Sequence, residues 1–377
     1  MKTAHTRRTA LVALSLSALA LATLAMACSS NAGGSKAQEP VAGNARDTTG
    51  TTPWPLSLPA GQGMNPVMLD GADQKILADY PNVYSLLVIR HGHLVYEKYY
   101  RGMGATDANP VYSVTKSVMS ALTGIAMRDG LLAGVDTKLS ALLPESFAAL
   151  DDPQKRDITI GHALTMTGGL ASIDSDYYSY FTSRDFLDYA LQRTLLAEPG
   201  KLFSYNTGLT HLLSVAIGKQ SGMDVADYAD RHLFGPLGIT RYRWDTDRQG
   251  RNVGGSGLSL TPRDMAKLGY LYLHEGNWEG RQLIPADWVR ESIRRQLAVD
   301  TQSGYGYLFW NWEHKANALG TDHYAWGACG AGGQYVIVVP DLDLVAVVTA
   351  DYNSYAKGKA DTIRIIWDWV VPAVEAP

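Results

Sequence analysis

A serine and a lysine stand three residues apart at the head of an apolar helical run. The run begins Tyr112-Ser113-Val114-Thr115-Lys116 and continues with small and aliphatic residues to about residue 128. Residues i and i+3 of an α-helix lie on one face, so the lysine amine can reach the serine hydroxyl. A serine hydroxyl is a weak nucleophile until a base accepts its proton, and a lysine can be that base only when burial lowers its pKa. The spacing therefore predicts a buried helix inside the fold, and attack on a carbonyl through an acyl-serine.

The N-terminus has the features of a targeting segment. Lys2, Arg7 and Arg8 precede the apolar stretch 11–24, which is shorter than a membrane span. The sequence Leu-Ala-Met-Ala-Cys at 24–28 resembles a bacterial lipoprotein box, and its Ala-Met-Ala also fits ordinary signal peptidase. We expect a signal peptide at 1–27 and lipidation of Cys28, with plain secretion as the alternative. Ser29 resembles the outer-membrane signal of Gram-negative lipoproteins, so we expect the protein in the periplasm or cell envelope, attached to the membrane by its lipid.

Composition limits the partners and the covalent structure of the chain. Residues 28–57 are rich in Ser, Gly, Ala, Thr and Pro and predict a disordered tether, which leaves 58–377 for a large core in two domains. Cys28 and Cys329 are the two cysteines, so we expect no disulfide within the folded part. The net charge is −4 and no basic run follows the signal, so nothing points to nucleic acid.

Strands are predicted at both ends of the folded part. Residues 84–90 and 94–100 form a hairpin around the tight turn His91-Gly92, and three more strands are predicted at 304–310, 334–339 and 343–350. His91 and His93 do not complete a zinc pattern, because Val95 stands where an aspartate would be required. We therefore expect a hairpin turn there and no metal site.

The middle of the chain is mostly helical. Helical patterns follow residue 113 and recur at 157–170, 183–195, 208–219, 224–233 and 261–273, with a long loop at 174–186 and a closing helix at 361–370. The predicted fold class is α+β, an antiparallel sheet flanked by N- and C-terminal helices with a mostly helical domain inserted between its strands. We expect a sheet domain at 58–112 and 262–377, a helical domain at 113–261, and a substrate pocket at their junction.

Two further motifs follow the first in a fixed order. Tyr205-Asn206-Thr207-Gly208 stands just before a helix, and a glycine-rich run, Ala-Cys-Gly-Ala-Gly-Gly-Gln, occupies 328–334. The Ser-x-x-Lys spacing alone fits an ordinary helix start, but three ordered motifs are far more specific. Together they resemble the serine β-lactamase-like hydrolases over about residues 75–370. That family includes class C β-lactamases, D-alanyl-D-alanine carboxypeptidases, β-lactamase-fold carboxylesterases and 6-aminohexanoate-dimer hydrolases.

The resemblance implies a role for each motif residue. Ser113 would be the nucleophile, and Lys116 would be its general base or share a proton network with Tyr205. Tyr205 would protonate the leaving group. The backbone N–H groups of Ser113 and Ala331 would form the oxyanion hole. The resemblance implies no metal and no cofactor.

The chain departs from the family pattern at two positions. The Tyr motif has Thr207 where many members have asparagine, and its asparagine is Asn206. The third motif begins with Ala328 where many members have a lysine, histidine or tryptophan. In β-lactamases and peptidoglycan enzymes a cation there helps to hold a substrate carboxylate, so its absence argues against penicillin as the main substrate. The motifs are closest to the 6-aminohexanoate-dimer hydrolase and esterase-like branch.

These observations favour an exported serine hydrolase of small esters or amides. The alternatives are a β-lactamase or D-alanyl-D-alanine carboxypeptidase and, from another class, a non-catalytic envelope protein that binds ligands with the same fold. The substrate stays open, because loops 171–186 and 240–257 set the acyl and leaving-group pockets. The sequence does not indicate the oligomeric state. The candidates for the substrate pocket and cleft wall are Tyr112, Thr207, Tyr177, Tyr178, Gly330, Gly332 and Trp244.

Overall fold

The protein is described by a computed structural model over residues 46–47, 54–315, 322–355 and 361–374. The predicted signal peptide, the lipidation site Cys28 and most of the predicted tether lie outside these residues. Within the described ranges, no helix has both the length and the apolar character needed to cross a membrane.

The centre of the fold is an antiparallel sheet of eight strands, which come from both ends of the folded chain, as the sequence predicts. They are β2 (Val83–Arg90), β3 (His93–Tyr99), β9 (Leu297–Ala298), β10 (Ser303–Tyr305), β11 (Trp310–Lys315), β12 (Asp322–Gly330), β13 (Gln334–Val339) and β14 (Leu344–Ala350). Their order across the sheet is β3-β2-β14-β13-β12-β11-β10-β9. A smaller sheet and a two-stranded ribbon contain β1 (Arg46–Asp47), β4 (Asn109–Pro110), β5 (Arg241–Trp244), β6 (Leu258–Leu260), β7 (Asn277–Trp278) and β8 (Arg281–Gln282).

Most helices lie in the middle of the chain, between the N-terminal and C-terminal strands of the main sheet. The α-helices are α1 (Pro66–Asp79), α2 (Val114–Arg128), α3 (Leu139–Leu142), α4 (Pro144–Ala148), α5 (Ile160–Leu164), α6 (Tyr177–Thr182), α7 (Phe186–Gln192), α8 (Thr207–Ser221), α9 (Val225–Ala229), α10 (Pro262–Leu273), α11 (Ala286–Ile293), α12 (Tyr352–Tyr355) and α13 (Ile363–Ile365). Short 3₁₀ turns lie at Pro59–Gln62, Pro153–Asp157, Ile173–Ser175 and Pro340–Leu342, and π turns lie at Asp230–Phe234 and Ile366–Val370.

Both faces of the main sheet are covered. Side chains alternate along a strand, and in β13 Val336 and Val338 face α10, where a Cβ on Gly269 would come within 2.7 Å of Val336. Tyr335, one position before Val336, points to the opposite face and reaches Asp361, just before the closing helical segment. The sheet is therefore buried on both sides, which explains why β13 and β14 are continuous apolar runs.

The hairpin between β2 and β3 turns at His91 and Gly92. Both residues have positive φ, 46° and 73°, which is the combination that a type I′ turn requires. His93 Nδ1 contacts the His91 carbonyl at 2.8 Å. The two histidines therefore belong to a turn, and no group of three His, Cys, Asp or Glu side chains placed to hold a metal occurs among the described residues.

The α+β class is confirmed, and three local predictions are wrong. The predicted loop at 174–186 contains a 3₁₀ turn, α6 and the start of α7, because Asp176 and Asp185 cap helices there. The predicted strand at 304–310 breaks between β10 and β11 at Leu308, whose φ is 64°. The fold also begins before residue 58: Trp54 is buried and packs edge-on against Tyr270.

Candidate active site

The nucleophile candidate sits at a strained turn into α2. Tyr112 has a φ of 48°, a left-handed conformation that is unusual for a bulky residue. Ser113 follows as the N-cap of α2, but its hydroxyl makes no capping hydrogen bond to the helix. Serine at this position ordinarily accepts from an early helix N–H. The Ser113 hydroxyl is instead available to the side chain of Lys116, one turn along the helix.

Lys116 is buried and its amine has three acceptors around it. Nζ lies 2.8 Å from Ser113 Oγ, 2.9 Å from Thr207 Oγ1 and 2.7 Å from the Gly255 carbonyl oxygen. An ammonium can donate to all three. A neutral amine can donate to Thr207 and Gly255 and accept the Ser113 proton. Both protonation states therefore fit this geometry, and passing from one to the other needs only a proton shift along the Ser113 contact.

Burial also adjusts the proton affinity of this lysine. Burial lowers the pKa of Lys116 to about 8, and the negative charge of Asp174 partly opposes that change. A lysine with a pKa near 8 is partly neutral at neutral pH, whereas an ordinary lysine is almost wholly charged. The site thus supplies the property that a lysine base requires.

The tyrosine of the second motif lies over the same amine. The Lys116 Nζ is 4.9 Å from the centroid of the Tyr205 ring, and the nearby Ser113 side chain acts to lower the pKa of Tyr205. Trp310 stacks on the Tyr205 ring at 6.1 Å. Burial, followed by Tyr305 and Asp174, raises the pKa of Tyr205 well above its ordinary value. Tyr205 is therefore a phenol at neutral pH, suited to donate a proton rather than to take one.

The two unusual residues of the Tyr motif have separate tasks. Asn206 Oδ1 accepts the Gly208 N–H at 3.0 Å and caps α8, while its amide nitrogen points inward to the Leu170 carbonyl. Thr207 is the residue that reaches Lys116. In the sequence Tyr-Asn-Thr of this chain, Thr207 therefore supplies an oxygen acceptor to the lysine and Asn206 caps the helix.

Sequence reasoning missed two groups that touch this cluster. Asp174 accepts hydrogen bonds from the Thr207 N–H and hydroxyl at 2.6 and 2.7 Å, and from the Tyr177 hydroxyl. Gly255 supplies the carbonyl to Lys116, and a Cβ there would come within 2.3 Å of the Thr207 methyl group. The run Gly-Gly-Ser-Gly at 254–257 is the signal that could have indicated this close approach.

The glycine-rich motif brings the end of β12 against the nucleophile turn. A Cβ on Gly330 would come within 2.2 Å of the Val111 carbonyl oxygen, and one on Gly332 within 2.7 Å of Tyr352 Cα. The Tyr352 ring in turn lies 5.0 Å from that of Tyr112. Ala331 thus lies between two glycines, one packed on Val111 and the other on the residue that contacts Tyr112.

The backbone donors predicted for the oxyanion hole are on these two segments. Neither the Ser113 N–H nor the Ala331 N–H donates a hydrogen bond to another residue of the described ranges. Two N–H groups from a helix start and a strand end are the kind of donor pair that stabilises an oxyanion. The arrangement leaves both available to a substrate.

The third motif has no cation. Its first two residues, Ala328 and Cys329, are small and buried at the end of β12. Tyr177, whose hydroxyl contacts that of Thr207, stacks on Phe181 at 5.6 Å. The third motif therefore supplies no positive charge to this part of the site.

The remaining pocket candidates divide into two groups. Tyr112, Tyr177, Thr207, Gly330 and Gly332 all lie on the segments described above. Two others do not contribute to the cluster. Adjacent residues of a helix point in different directions. Tyr177 therefore faces Thr207, whereas the side chain of Tyr178 points to solvent and is 64% exposed. Trp244 is 1% exposed and packs in the core against Phe234, so its prediction as a cleft wall is wrong.

A small, mostly apolar cavity lies elsewhere, on another side of α2. It is lined by Val114, Val118, Leu268, Phe309 and Trp326 among others, and not by Ser113, Lys116 or Tyr205. The hydroxyl of Ser117, which also lines the cavity, donates to the Leu308 carbonyl at 2.7 Å.

Comparison with known proteins shows which solved structures share this fold. The chain is 20% identical to a protein described as a 6-aminohexanoate-dimer hydrolase from Bacillus anthracis, with a TM-score of 0.72 over 88% of this chain and 90% of that one. It is 18% identical to EstCE1, a hydrolase with promiscuous acyltransferase activity, with a TM-score of 0.68 over 82% and 98%. An uncharacterised protein of Alkalihalophilus pseudofirmus is 22% identical over 72% of this chain and 84% of its own length.

The Beta-lactamase family model matches residues 75–368, which span the sheet, the helices between its strands and all three motifs. The resemblance that the ordered motifs suggest is thereby confirmed. The chain belongs to the Beta-lactamase family of serine hydrolases.

Proposed function

We propose that the protein is an exported hydrolase of small ester or amide bonds, which acts through an acyl intermediate on Ser113. The observation that carries the proposal is the placement of the Lys116 amine. It is buried, its pKa is lowered to about 8, and it lies 2.8 Å from the Ser113 hydroxyl. A structural lysine has no need of a serine at that distance or of a lowered pKa.

The proposed acylation assigns each proton transfer to Lys116 or Tyr205. Neutral Lys116 accepts the Ser113 proton as Oγ forms a bond to the substrate carbonyl carbon. The negative charge moves to the carbonyl oxygen, which accepts hydrogen bonds from the N–H groups of Ser113 and Ala331. Tyr205 donates its proton to the leaving oxygen or nitrogen as that bond breaks, and the Lys116 ammonium restores the Tyr205 proton. Water then attacks the acyl carbonyl carbon, and Lys116 accepts its proton as base. As the bond from that carbon to Ser113 Oγ breaks, the Lys116 ammonium returns the proton to Oγ, and the carboxylic acid leaves.

The preference for small neutral substrates rests on the lining of the site. The third motif has Ala328 and Cys329 where a cation would hold a substrate carboxylate. Two pairs of aromatic rings lie near the site, Tyr112 with Tyr352 and Tyr177 with Phe181. Apolar acyl groups gain from burial against such surfaces. The fold relatives described as a 6-aminohexanoate-dimer hydrolase and as EstCE1, a hydrolase with promiscuous acyltransferase activity, support hydrolysis of small acyl compounds in general and leave the preference for neutral ones to the lining.

Turnover of a matched substrate set tests the proposal. Purified protein is given p-nitrophenyl acetate, p-nitrophenyl butyrate, a linear amide and nitrocefin, and Ser113→Ala is compared with Ser120→Ala, a serine of the same helix farther from the turn. We expect hydrolysis of the esters or the amide by wild type and Ser120→Ala and none by Ser113→Ala. Equal rates in all three proteins would contradict the proposal.

The second candidate, a β-lactamase or D-alanyl-D-alanine carboxypeptidase, is favoured by the fold relatives described as penicillin-binding proteins. A covalent penicillin adduct and nitrocefin turnover faster than ester turnover would favour it. A complete failure of fluorophosphonate labelling would instead favour the non-catalytic binding protein.

We further propose that the chain is exported and anchored by a lipid on Cys28. The support is the basic and apolar N-terminus that ends at a lipoprotein-like box. Metabolic labelling with a fatty acid in a Gram-negative host should mark the wild type and not Cys28→Ser. Recovery of the unlabelled wild type as a cytoplasmic protein would contradict both export and lipidation.

A further inference from the structure

The side chain of Asp174 is bonded twice to one residue of the candidate site. Its Oδ2 accepts the Thr207 N–H at 2.6 Å, and its Oδ1 accepts the Thr207 hydroxyl at 2.7 Å. Thr207 is the first residue of α8, so a carboxylate from a distant segment caps this helix. The neighbouring Ser172 hydroxyl donates to the Tyr205 carbonyl at 2.6 Å. The segment 172–174 is therefore hydrogen-bonded to both Tyr205 and Thr207, the two residues of the Tyr motif that lie next to Lys116.

The Asp174 carboxylate determines which way the O–H bond of Thr207 points. Thr207 has one hydroxyl hydrogen, and the nearest charged acceptor is Asp174 Oδ1. Tyr177, which lies 3.0 Å from the Thr207 hydroxyl, donates to the same oxygen. With its hydrogen on the carboxylate, Thr207 presents its lone pairs to Lys116 Nζ, 2.9 Å away. Without the carboxylate, that hydroxyl could turn its hydrogen toward the amine.

We propose that Asp174 is a positioning residue of this site, which acts through the Thr207 hydroxyl to hold the Lys116 amine on Ser113. Asp174 does not itself reach Ser113, so it is not a catalytic residue. The inference rests on the proposed function only in that Lys116 is the base. It assigns a role to a residue that none of the three sequence motifs contains.

The charge of Asp174 has a second effect on the lysine. The titratable groups that face Lys116 are Tyr205, whose ring lies over the amine, Asp174 and, beyond Thr207, Tyr177. Burial lowers the pKa of Lys116, and Asp174 raises it. Removal of the charge should therefore lower that pKa further, by about one unit for a nearby partly exposed carboxylate. It should also slow the reaction, up to about 100-fold, because the base is less well oriented.

These two effects distinguish positioning from a structural role. A variant that only loosened α8 would lose rate without moving the pH profile to lower pH. Asp174→Asn should do both. Asp176→Asn is the matched control, because Asp176 lies two residues away and caps α6 without contacting Thr207 or Lys116. Asparagine is also a good N-cap, so the control should leave rate and profile unchanged.

A second pair of variants guards against misfolding of Asp174→Asn. Thr207→Val keeps the backbone N–H that Asp174 binds and removes only the hydroxyl, whereas Thr207→Ser keeps both. We expect Thr207→Val to lose rate to the same degree as Asp174→Asn and Thr207→Ser to keep most of it. The double variant Asp174→Asn/Thr207→Val should lose no more than the worse single variant, because both act on one contact.

Two measurements test the inference. The first follows the Lys116 signal by NMR of protein with ¹³C at the lysine ε-carbons, assigned by its loss in Lys116→Met. The second measures the rate of fluorophosphonate labelling of Ser113 against pH. We expect Asp174→Asn to shift both midpoints about one unit lower than wild type and Asp176→Asn. Labelling of Asp174→Asn at its plateau pH as fast as that of Asp176→Asn overturns the inference whatever the Lys116 midpoint does, because removal of a nearby charge shifts that midpoint without any change of orientation. Slowed labelling of Asp174→Asn in a protein that hydrolyses none of the esters or amides supports the inference and counts against the proposed function.

Discussion

The Lys116 amine stands 2.8 Å from the Ser113 hydroxyl and meets two further acceptors, one from α8 and one from the loop before β6. Three segments that are far apart in the chain thus converge on a single nitrogen. Burial around it lowers the pKa of Lys116 to about 8. The consequences of this arrangement can be measured one by one.

The first prediction concerns the pH dependence of kcat/KM. The base must be neutral, so the rate constant should be low below the Lys116 pKa and rise with pH through about 8. An uncharged ester such as p-nitrophenyl butyrate should be used, with the spontaneous rate subtracted at each pH. An activity that already reaches its plateau at pH 6 would show that another group takes the proton.

The second prediction separates acid from base function at Tyr205. The raised pKa of Tyr205 keeps its proton on, so its main task should be to protonate the leaving group. Tyr205→Phe should lose on the order of 100-fold or more with an amide, whose nitrogen needs a proton, and much less with a p-nitrophenyl ester, which leaves as an anion. Tyr100→Phe is the control, since Tyr100 bonds to Asp73 away from the site. Equal losses on both substrates would contradict the assignment.

The third prediction concerns the close approach of β12 to the nucleophile turn. Gly330→Ala would place a Cβ 2.2 Å from the Val111 carbonyl oxygen, so the strand end must move and the Ala331 N–H with it. Loss of one oxyanion donor lowers kcat by about 100-fold or more. Gly134→Ala is the matched control, because a Cβ at Gly134 would meet no atom within 4 Å. Crystal structures or thermal melts of both variants would show whether any loss is local.

The fourth prediction is a stability change with pH. The pKa of Lys116 is lower in the folded state than its ordinary 10.5, so the unfolded chain binds more protons between about pH 8 and 10.5. The stability contribution of Lys116 therefore rises with pH across that window, by about 3 kcal/mol when titration is complete. Lys116→Met has no such dependence. The free energy of unfolding of each protein is measured with urea between pH 7.5 and 9.5. The free energy of wild type should rise relative to that of Lys116→Met as the pH increases. A constant difference between the two would contradict the lowered pKa of Lys116.

The sequence predicted the framework because its signals are local. The helix after Ser113, the β2–β3 hairpin and the strands β13 and β14 follow from apolar periodicity and turn residues that lie within a few positions of one another. The arrangement of these strands and helices predicted the fold class, and the order of the three motifs predicted the family. These features depend little on contacts between distant parts of the chain.

The sequence could not predict the contacts that cross between segments. Asp174 reaches Thr207 across 33 positions, and Gly255 reaches Lys116 across 139. An acidic, tyrosine-rich stretch gives no hint of which carboxylate turns inward, and Asp174 and Asp176 differ only in the direction that the 3₁₀ turn gives them. Tyr177 and Tyr178 were equivalent candidates for the same reason, and helix geometry separates them.

The most direct test of the central claim is the mass of the protein during turnover. Wild type and Ser113→Ala are mixed with p-nitrophenyl butyrate, quenched in acid within a second, and analysed as intact proteins and as peptides. We predict that wild type gains the mass of one butyryl group, on the peptide that contains Ser113, and that Ser113→Ala gains none and releases no p-nitrophenol above background. An adduct on another residue, or full turnover by Ser113→Ala, would contradict the claim that Lys116 activates Ser113 as the nucleophile.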